Sequence, residues 1–216
     1  MYYENLPFRF DTRGIIYNKR SHVYKVNIQT KKFTKIVDGD AKDIISIESM
    51  VEGEKGLVLS FDQYNSKGTM LEEKIGAIEG SKIKEIYSQG SMGNLFYYED
   101  GLHAVGMRKR FDWPTNTTVL KISNTGKVSY KYRLFDRNIV KAEVNEAILY
   151  FLYEDSGKTL LRDGTNNVDL INSKVTIKDF AFNNEQTFVI ANSFSNPDEI
   201  YAVSYTHLRA HETHSN

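Results

Sequence analysis

Residues 94–132 read N-L-F-Y-Y-E-D-G-L-H-A-V-G-M-R-K-R-F-D-W-P-T-N-T-T-V-L-K-I-S-N-T-G-K-V-S-Y-K-Y. Four short apolar-rich runs lie in this stretch, at 94–98, 103–107, 117–123 and 127–132. Asp100-Gly101 separates the first pair and Asn124-Thr125-Gly126 the second. Asp, Asn and Gly tolerate the left-handed backbone of tight turns, so runs divided in this way read as antiparallel hairpins. Period-two alternation lets each run bury one face of a sheet. The stretch predicts one four-stranded antiparallel sheet.

The same grammar extends in both directions. Runs at 44–51, 56–61, 73–79 and 82–87 form an upstream group, with Glu52-Gly53-Glu54 and Gly80-Ser81 as turns and a long loop over 62–71. Downstream, 139–144, 147–153, 159–162 and 168–171 form another, turning at Asn145-Glu146 and around Asp163-Gly164. A half group precedes them at 23–28 and 33–37, and an incomplete one follows at 174–181, 187–191 and 199–202. Tyr24, Gly76, Val119, Leu160 and Ile200 mark the third run of each group. Their spacing is about 40 to 50 residues, the period of a propeller blade. The expected fold is all-β: a partial β-propeller of four-stranded blades over residues 1–202, about four blades of an expected seven. A β-sandwich or plain meander is the alternative, disfavoured by the even repeat. No stretch shows the i, i+3, i+4 spacing of a helix. Blades bury their faces against each other, so an arc with two open ends is expected to aggregate or fold poorly on its own; a cooperative monomeric melt would count against that.

Composition bounds the rest. Lys plus Arg and Asp plus Glu both number 28, so no global field favours nucleic acid or an acidic membrane. No run of about 18 apolar residues is present to span a bilayer. The 216 residues include no cysteine, which removes disulfides and thiolate metal sites and fits a cytoplasmic bacterial protein. No signal peptide precedes Pro7, although Met1 could be an internal methionine.

Residues 203–213 read V-S-Y-T-H-L-R-A-H-E-T and resemble a translated transposase-type sequencing adapter. The native sequence is expected to stop near Ala202, in mid-gene, with 203–216 a non-native tail. His207, His211 and His214 have a spacing that suits a shared metal ion, but they fall in that tail and are not taken as ligands. His22 and His103 remain.

Two stretches resemble the prolyl oligopeptidase family of serine peptidases, in its acylaminoacyl-peptidase-like branch. One runs from Leu6-Pro7-Phe8-Arg9-Phe10 through Asp11, Gly14-Ile15 and the basic Lys19-Arg20 to His22-Val23-Tyr24. The other joins Asp179-Phe180-Ala181-Phe182 to Ile190-Ala191, Ser193, Ser195, Pro197 and Glu199-Ile200-Tyr201. The Ser-Pro-Asp-Gly turn of many family blades is missing; Asn183-Asn184-Glu185-Gln186 and Asn145-Glu146 stand in its place. The resemblance implies a propeller that limits access to an α/β-hydrolase domain bearing Ser, Asp and His, so that peptides enter and folded proteins do not. The serine would sit on a G-x-S-x-G elbow, with a histidine to take its proton and a carboxylate to orient that histidine. That hydrolase domain is not in this chain. No catalytic, cofactor-binding or metal residue is therefore assigned, and no cofactor is expected. The partners implied are the C-terminal hydrolase domain and peptide substrates, not nucleic acid or membrane. A propeller that only binds or scaffolds is the competing reading.

Local motifs give little more. Gly90-Ser91-Met92-Gly93 lacks the elbow spacing and reads as a link between blades. Gly157-Lys158-Thr159 echoes a phosphate-binding loop, but Leu152 stands where that loop needs glycine, so a hairpin turn is expected. Glu72-Glu73 could hold an ammonium by charge-assisted hydrogen bonds, as paired glutamates do in dipeptidyl-peptidase relatives; its flanks differ and it reads first as a solvated loop end. Arg108-Lys109-Arg110-Phe111-Asp112-Trp113-Pro114 reads as a solvated inter-strand loop, with a substrate-facing mouth or single-stranded nucleic acid as alternatives. His103 has no partner histidine and reads as structural.

Overall fold

The computed structural model describes residues 9–10, 14–15, 22–37, 44–53, 56–65, 70–99, 101–109, 116–132, 135–171, 174–183 and 186–203. These residues form strands, turns and connecting segments, with no helix among them. A hairpin of β1 (Arg9–Phe10) and β2 (Gly14–Ile15) comes first, followed by a second of β3 (Tyr24–Val26) and β4 (Phe33–Lys35). Three four-stranded sheets follow. The first holds β5 (Ile44–Gly53), β6 (Gly56–Tyr64), β7 (Leu71–Glu79) and β8 (Lys82–Tyr87). The second holds β9 (Ser91–Tyr98), β10 (Gly101–Met107), β11 (Thr118–Ile122) and β12 (Val128–Tyr130). The third holds β13 (Ile139–Asn145), β14 (Ile148–Asp155), β15 (Lys158–Asp163) and β16 (Val168–Asp169). A three-stranded sheet of β17 (Thr176–Phe182), β18 (Thr187–Asn192) and β19 (Glu199–Val203) ends the series. Every pairing is antiparallel between consecutive strands, as blades require. The five marker residues all fall in, or at the edge of, the strand expected to be third in its group.

The cores lie between sheets rather than within a single sandwich. Val23 and Val37 pack with Ile44, Leu59 and Phe61. Ile75 and Val58 meet Leu95, Ala104 and Leu120. Val105 and Val119 meet Ile139, Leu149 and Phe151. Tyr150, Leu152 and Leu161 meet Ile177, Phe180 and Val189. Alternate residues of one strand thus serve two different interfaces: Phe151 faces one neighbouring sheet, while Tyr150 and Leu152 face the other. Each fully buried side chain of this size contributes about 1.5–3 kcal/mol.

Two expectations need correction. The long loop over 62–71 is shorter than expected, because Asp62, Gln63 and Tyr64 pair with Glu73, Glu72 and Leu71. Tyr64 buries itself beside Ile45 and Leu71, and that apolar contact favours extending both strands. The β1–β2 hairpin had no counterpart in the expected strands. Val203, the first residue of the presumed tail, continues β19 and pairs with Thr187; residues 204–216, with His207, His211 and His214, lie outside the described residues.

Turn chemistry explains most hairpins. Ser156 and Gly157 have φ of 50° and 76° between Asp155 and Lys158, the doubly left-handed pattern of a type I′ turn. This settles Gly157-Lys158-Thr159 as a hairpin turn leading into β15. Glu146 and Ala147 adopt the same pattern, at 48° and 64°, without Asn or Gly. Left-handed backbone costs ordinary L-residues roughly 1–2 kcal/mol each. The double substitution Glu146→Asn with Ala147→Gly should therefore stabilise the protein by about 1–2 kcal/mol, read as a higher urea midpoint with unchanged slope.

Candidate functional site

The first strand of each sheet occupies its inner edge: β5, β9, β13 and β17 each pair on one side only. Neighbouring first strands approach one another, β5 against β9 and β9 against β13. The first strands therefore run along the same side of the successive sheets. Each contains a bulge. The extra residues are Ile45 and Glu48 in β5, Asn94 in β9, Val140 in β13 and Lys178 in β17. A bulge bends and twists an unpaired edge, so it cannot template another strand.

Polar bonds link one inner strand to the next. Ser49 Oγ accepts the Leu95 N–H at 2.9 Å, and Asn94 Oδ1 accepts the Ala142 N–H at 2.5 Å. Asn94 sits at φ 43°, a conformation Asn tolerates better than most residues. Lys141 Nζ donates to Asp179 Oδ1 at 2.6 Å and to the Phe180 carbonyl at 2.8 Å, with its charge 4.7 Å from the Phe180 ring centre. Burial raises the Asp179 carboxyl, but the bonds from Lys141 and the Phe180 N–H outweigh it and hold it below the usual value. Lys178 Nζ donates to Asp198 at 2.7 Å. Glu48, Met50 and Glu52 of β5 remain exposed. The inner edge is therefore a polar, cross-braced wall.

The residues singled out in the sequence do not converge on one site. Gly90 precedes β9, but Ser91, Met92 and Gly93 lie inside it, so the stretch is mostly strand rather than the expected link between blades. Glu72 and Glu73 lie inside β7 rather than at a loop end, which corrects that expectation. Consecutive strand residues point to opposite faces, so the two carboxylates cannot grip one ammonium. Glu72 is 3.6 Å from Lys74, which also binds Glu85 at 3.0 Å. The Arg108 guanidinium lies 5.4 Å from the Tyr130 ring centre, and its carbonyl accepts the Tyr87 hydroxyl. Lys109 is exposed, and residues 110–115, including Trp113, lie outside the described residues. Asp155, Ser156 and Lys158 line a shallow depression with Arg137, whose Nε binds Asp155 at 2.8 Å. Among the described residues no His, Asp and Glu cluster is arranged to hold a metal ion.

His103 is fully buried, stacked 5.6 Å from Phe96 and edge-on to Tyr98 at 5.8 Å. Its Nδ1 is 3.0 Å from the Gly101 carbonyl, which makes it the N–H donor. Among the described residues its Nε2 has no hydrogen-bond partner. Burial lowers the His103 pKa from the ordinary 6.5, opposed by the Gly101 bond and helped by Lys131 and Lys121. The unfolded chain therefore binds this proton more readily. Stability tied to neutral His103 is complete above about pH 6.5 and drains away as pH falls through and below that value. The melting temperature should fall between pH 7.5 and 5.5, and His103→Phe should flatten that part of the profile. An unchanged slope in the variant would assign the effect elsewhere.

No protein-family model matches the sequence, and no curated protein is similar to it. Solved structures are similar. Acylaminoacyl peptidase from Pyrococcus horikoshii, in its orthorhombic crystal form, superposes with a TM-score of 0.71 over 99% of this chain at 12% identity. The uncomplexed enzyme gives 0.71 over 98% at 13% identity. An acylaminoacyl peptidase in complex with Z-Gly-Gly-Phe-chloromethyl ketone gives 0.64 over 98% at 13% identity. The arc is an open β-propeller segment. This chain spans 35% of the length of each of those peptidases. At such identity the likeness establishes fold alone. Among the described residues no helix is long and apolar enough to cross a membrane.

Proposed function

We propose that this chain is the substrate-gating propeller portion of a serine peptidase acting on peptides, with catalysis residing in an α/β-hydrolase domain of the same protein. The carrying observation is the superposition on acylaminoacyl peptidase at a TM-score of 0.71 across 99% of the chain. The two stretches resembling the prolyl oligopeptidase family point the same way. The architecture supports this role. Rigid sheets set the width of the concave side, and the Ser49, Asn94 and Lys141 bonds brace neighbouring inner strands against spreading. On this reading an extended peptide would pass such a wall and a folded domain would not. The hydrolase domain would supply a serine nucleophile, a histidine base and an orienting carboxylate; this chain would admit, exclude and orient.

The test is to extend the gene in both directions and express the whole product. A G-x-S-x-G elbow with downstream Asp and His, together with fluorophosphonate labelling of that serine, is the expected result. A stop codon soon after ring closure would leave a binding propeller and end the peptidase reading. Labelling of the purified 216-residue chain itself would overturn the assignment of catalysis to another domain.

A further inference from the structure

Among the described residues, His103 and Asp163 are the buried members of the acidic, basic and histidine types. Asp163 is satisfied: its carboxylate accepts the Thr165 and Asn166 N–H groups at 2.9 and 2.8 Å and the Asn166 side-chain amide at 2.8 Å. His103 is not. It stands on the same face of β10 as Val105, opposite Phe96 on β9 and Lys121 on β11. Val105, Phe96 and Tyr98 belong to the core between the second and third sheets, so the ring is part of that junction. Its Nδ1 faces the Gly101 carbonyl and its Nε2 is buried without a partner. A proton on Nε2 would add a positive charge with no acceptor, and burying an unpaired charge is costly. The surrounding groups do little to relieve it. The Lys121 stem passes beside the ring: a Cβ on Gly101 would lie 2.7 Å from Lys121 Cε, 3.5 Å from its Nζ and 3.7 Å from His103 Cε1. Lys131 Nζ sits 4.8 Å from the Tyr98 ring centre and binds Glu99 at 2.8 Å. From the third sheet come Asp163, engaged as above, and Tyr153, whose hydroxyl donates to Asp169 at 3.0 Å.

We propose that protonation of His103 opens the junction between the second and third sheets while the junction between the first and second stays closed. The charged ring reaches water only when the two sheets part, and histidine is the side chain whose charge changes near neutral pH. Parting separates the Tyr98 and Thr165 hydroxyls, 3.3 Å apart across the junction, and releases the Ala142 N–H from Asn94. The first junction has no such trigger. Its core of Val58, Ile75, Leu95, Ala104 and Leu120 is apolar, and the bonds that cross it, from Ser60 to the Met92 carbonyl and from the Leu95 N–H to Ser49, join groups that do not titrate. Acid would thus loosen the inner wall at one place, β9 against β13, by a local opening rather than global unfolding.

Amide hydrogen exchange of the purified chain, each rate normalised to its intrinsic value at that pH, tests this. The Ala142 N–H reports the junction of the second and third sheets and the Leu95 N–H that of the first and second. The open state takes up the proton near the ordinary histidine value of about 6.5, and the closed state resists it. Ala142 protection should therefore fall about tenfold between pH 7.5 and 5.5, with Leu95 protection constant. In His103→Phe the fall at Ala142 should vanish. Lys121→Met keeps the stem but removes a cation beside the ring, so the closed junction tolerates the proton better and the fall should shrink; this variant carries the test should His103→Phe lose its cooperative melt. Equal loss at both amides, flat Ala142 protection in the wild type, a fall that persists in His103→Phe, or one undiminished in Lys121→Met would overturn the proposal. It rests on the blade junction alone, so its failure would leave the peptidase reading to the gene-extension test.

Discussion

Gly106→Ala should abolish the cooperative melt or lower stability by at least about 3 kcal/mol, the upper range for overpacking a site that cannot relax. Gly106 pairs with Met92, and Met107 with Ser91. A Cβ at position 106 would stand 2.8 Å from Met92 Cα and press on the Ser91 carbonyl oxygen. In an ordinary antiparallel pair the Cβ stands off the sheet and clears the partner backbone. Here the Asn94 bulge lies two residues along, and bulges sharpen the local twist. Gly90 sits at the same crossing, where a Cβ would press on the Met107 carbonyl. The obstacle in both cases is backbone, which cannot rotate aside as a side-chain tip can. Gly93, in the partner strand β9, provides the control: nothing lies within 4 Å of its Cβ position, so Gly93→Ala should stay within about 0.5 kcal/mol of wild type. Urea unfolding of both variants reads the difference. A Gly106→Ala protein within about 1 kcal/mol of wild type would mean the strands can part at this end, and the tight-crossing argument would fail.

Most of the strands were legible because their boundaries are written in turn residues. Gly101, Asn124-Thr125-Gly126 and Gly80-Ser81 each punctuate a hairpin that forms where they stand. Less legible were the inner strands, and the reason is the bulge. An extra residue breaks the period-two pattern, so the buried positions of a first strand fall three apart instead of two: Met92 and Leu95, Ile139 and Ala142, Ile177 and Phe180. The expected strand at 94–98 began late for this reason; residues 91–93 look out of phase with 95–98. A three-residue apolar spacing at the head of each four-strand group was the available signal. The braces of the inner wall left no such trace. Ser49 and Asn94 each bond a backbone N–H nearly one blade further along the chain, and nothing in the composition of either strand marks that partner. The charged motifs misled more than they informed. Glu72-Glu73 looks like a paired-carboxylate clamp in one dimension, and strand geometry separates it.

Phe151 and Gly164 should lose stability non-additively when both are replaced. Phe151 is 1% exposed at the interface between the β9–β12 and β13–β16 sheets. Its ring meets Tyr132 and Phe135 with centroids 5.3 Å away and Tyr153 at 6.2 Å. Phe151→Ala removes the centre of this aromatic group and should cost about 3–5 kcal/mol. Gly164 lies under the same ring: a Cβ there would come 2.5 Å from Phe151 Cε1 and 2.6 Å from the Tyr132 hydroxyl. Its N–H donates to the Leu149 carbonyl at 2.7 Å, so the backbone cannot withdraw without losing that bond. Gly164→Ala alone should therefore cost about 1–3 kcal/mol by overpacking. With Phe151 already truncated, the same methyl enters space the ring has left, and only the mobile Tyr132 tip needs to move. The double variant should then be more stable than the sum of the singles predicts, by about 1–2 kcal/mol. Additivity within about 0.5 kcal/mol would show that ring and glycine do not share one packing site, and would leave the lack of a side chain at position 164 without a packing cause.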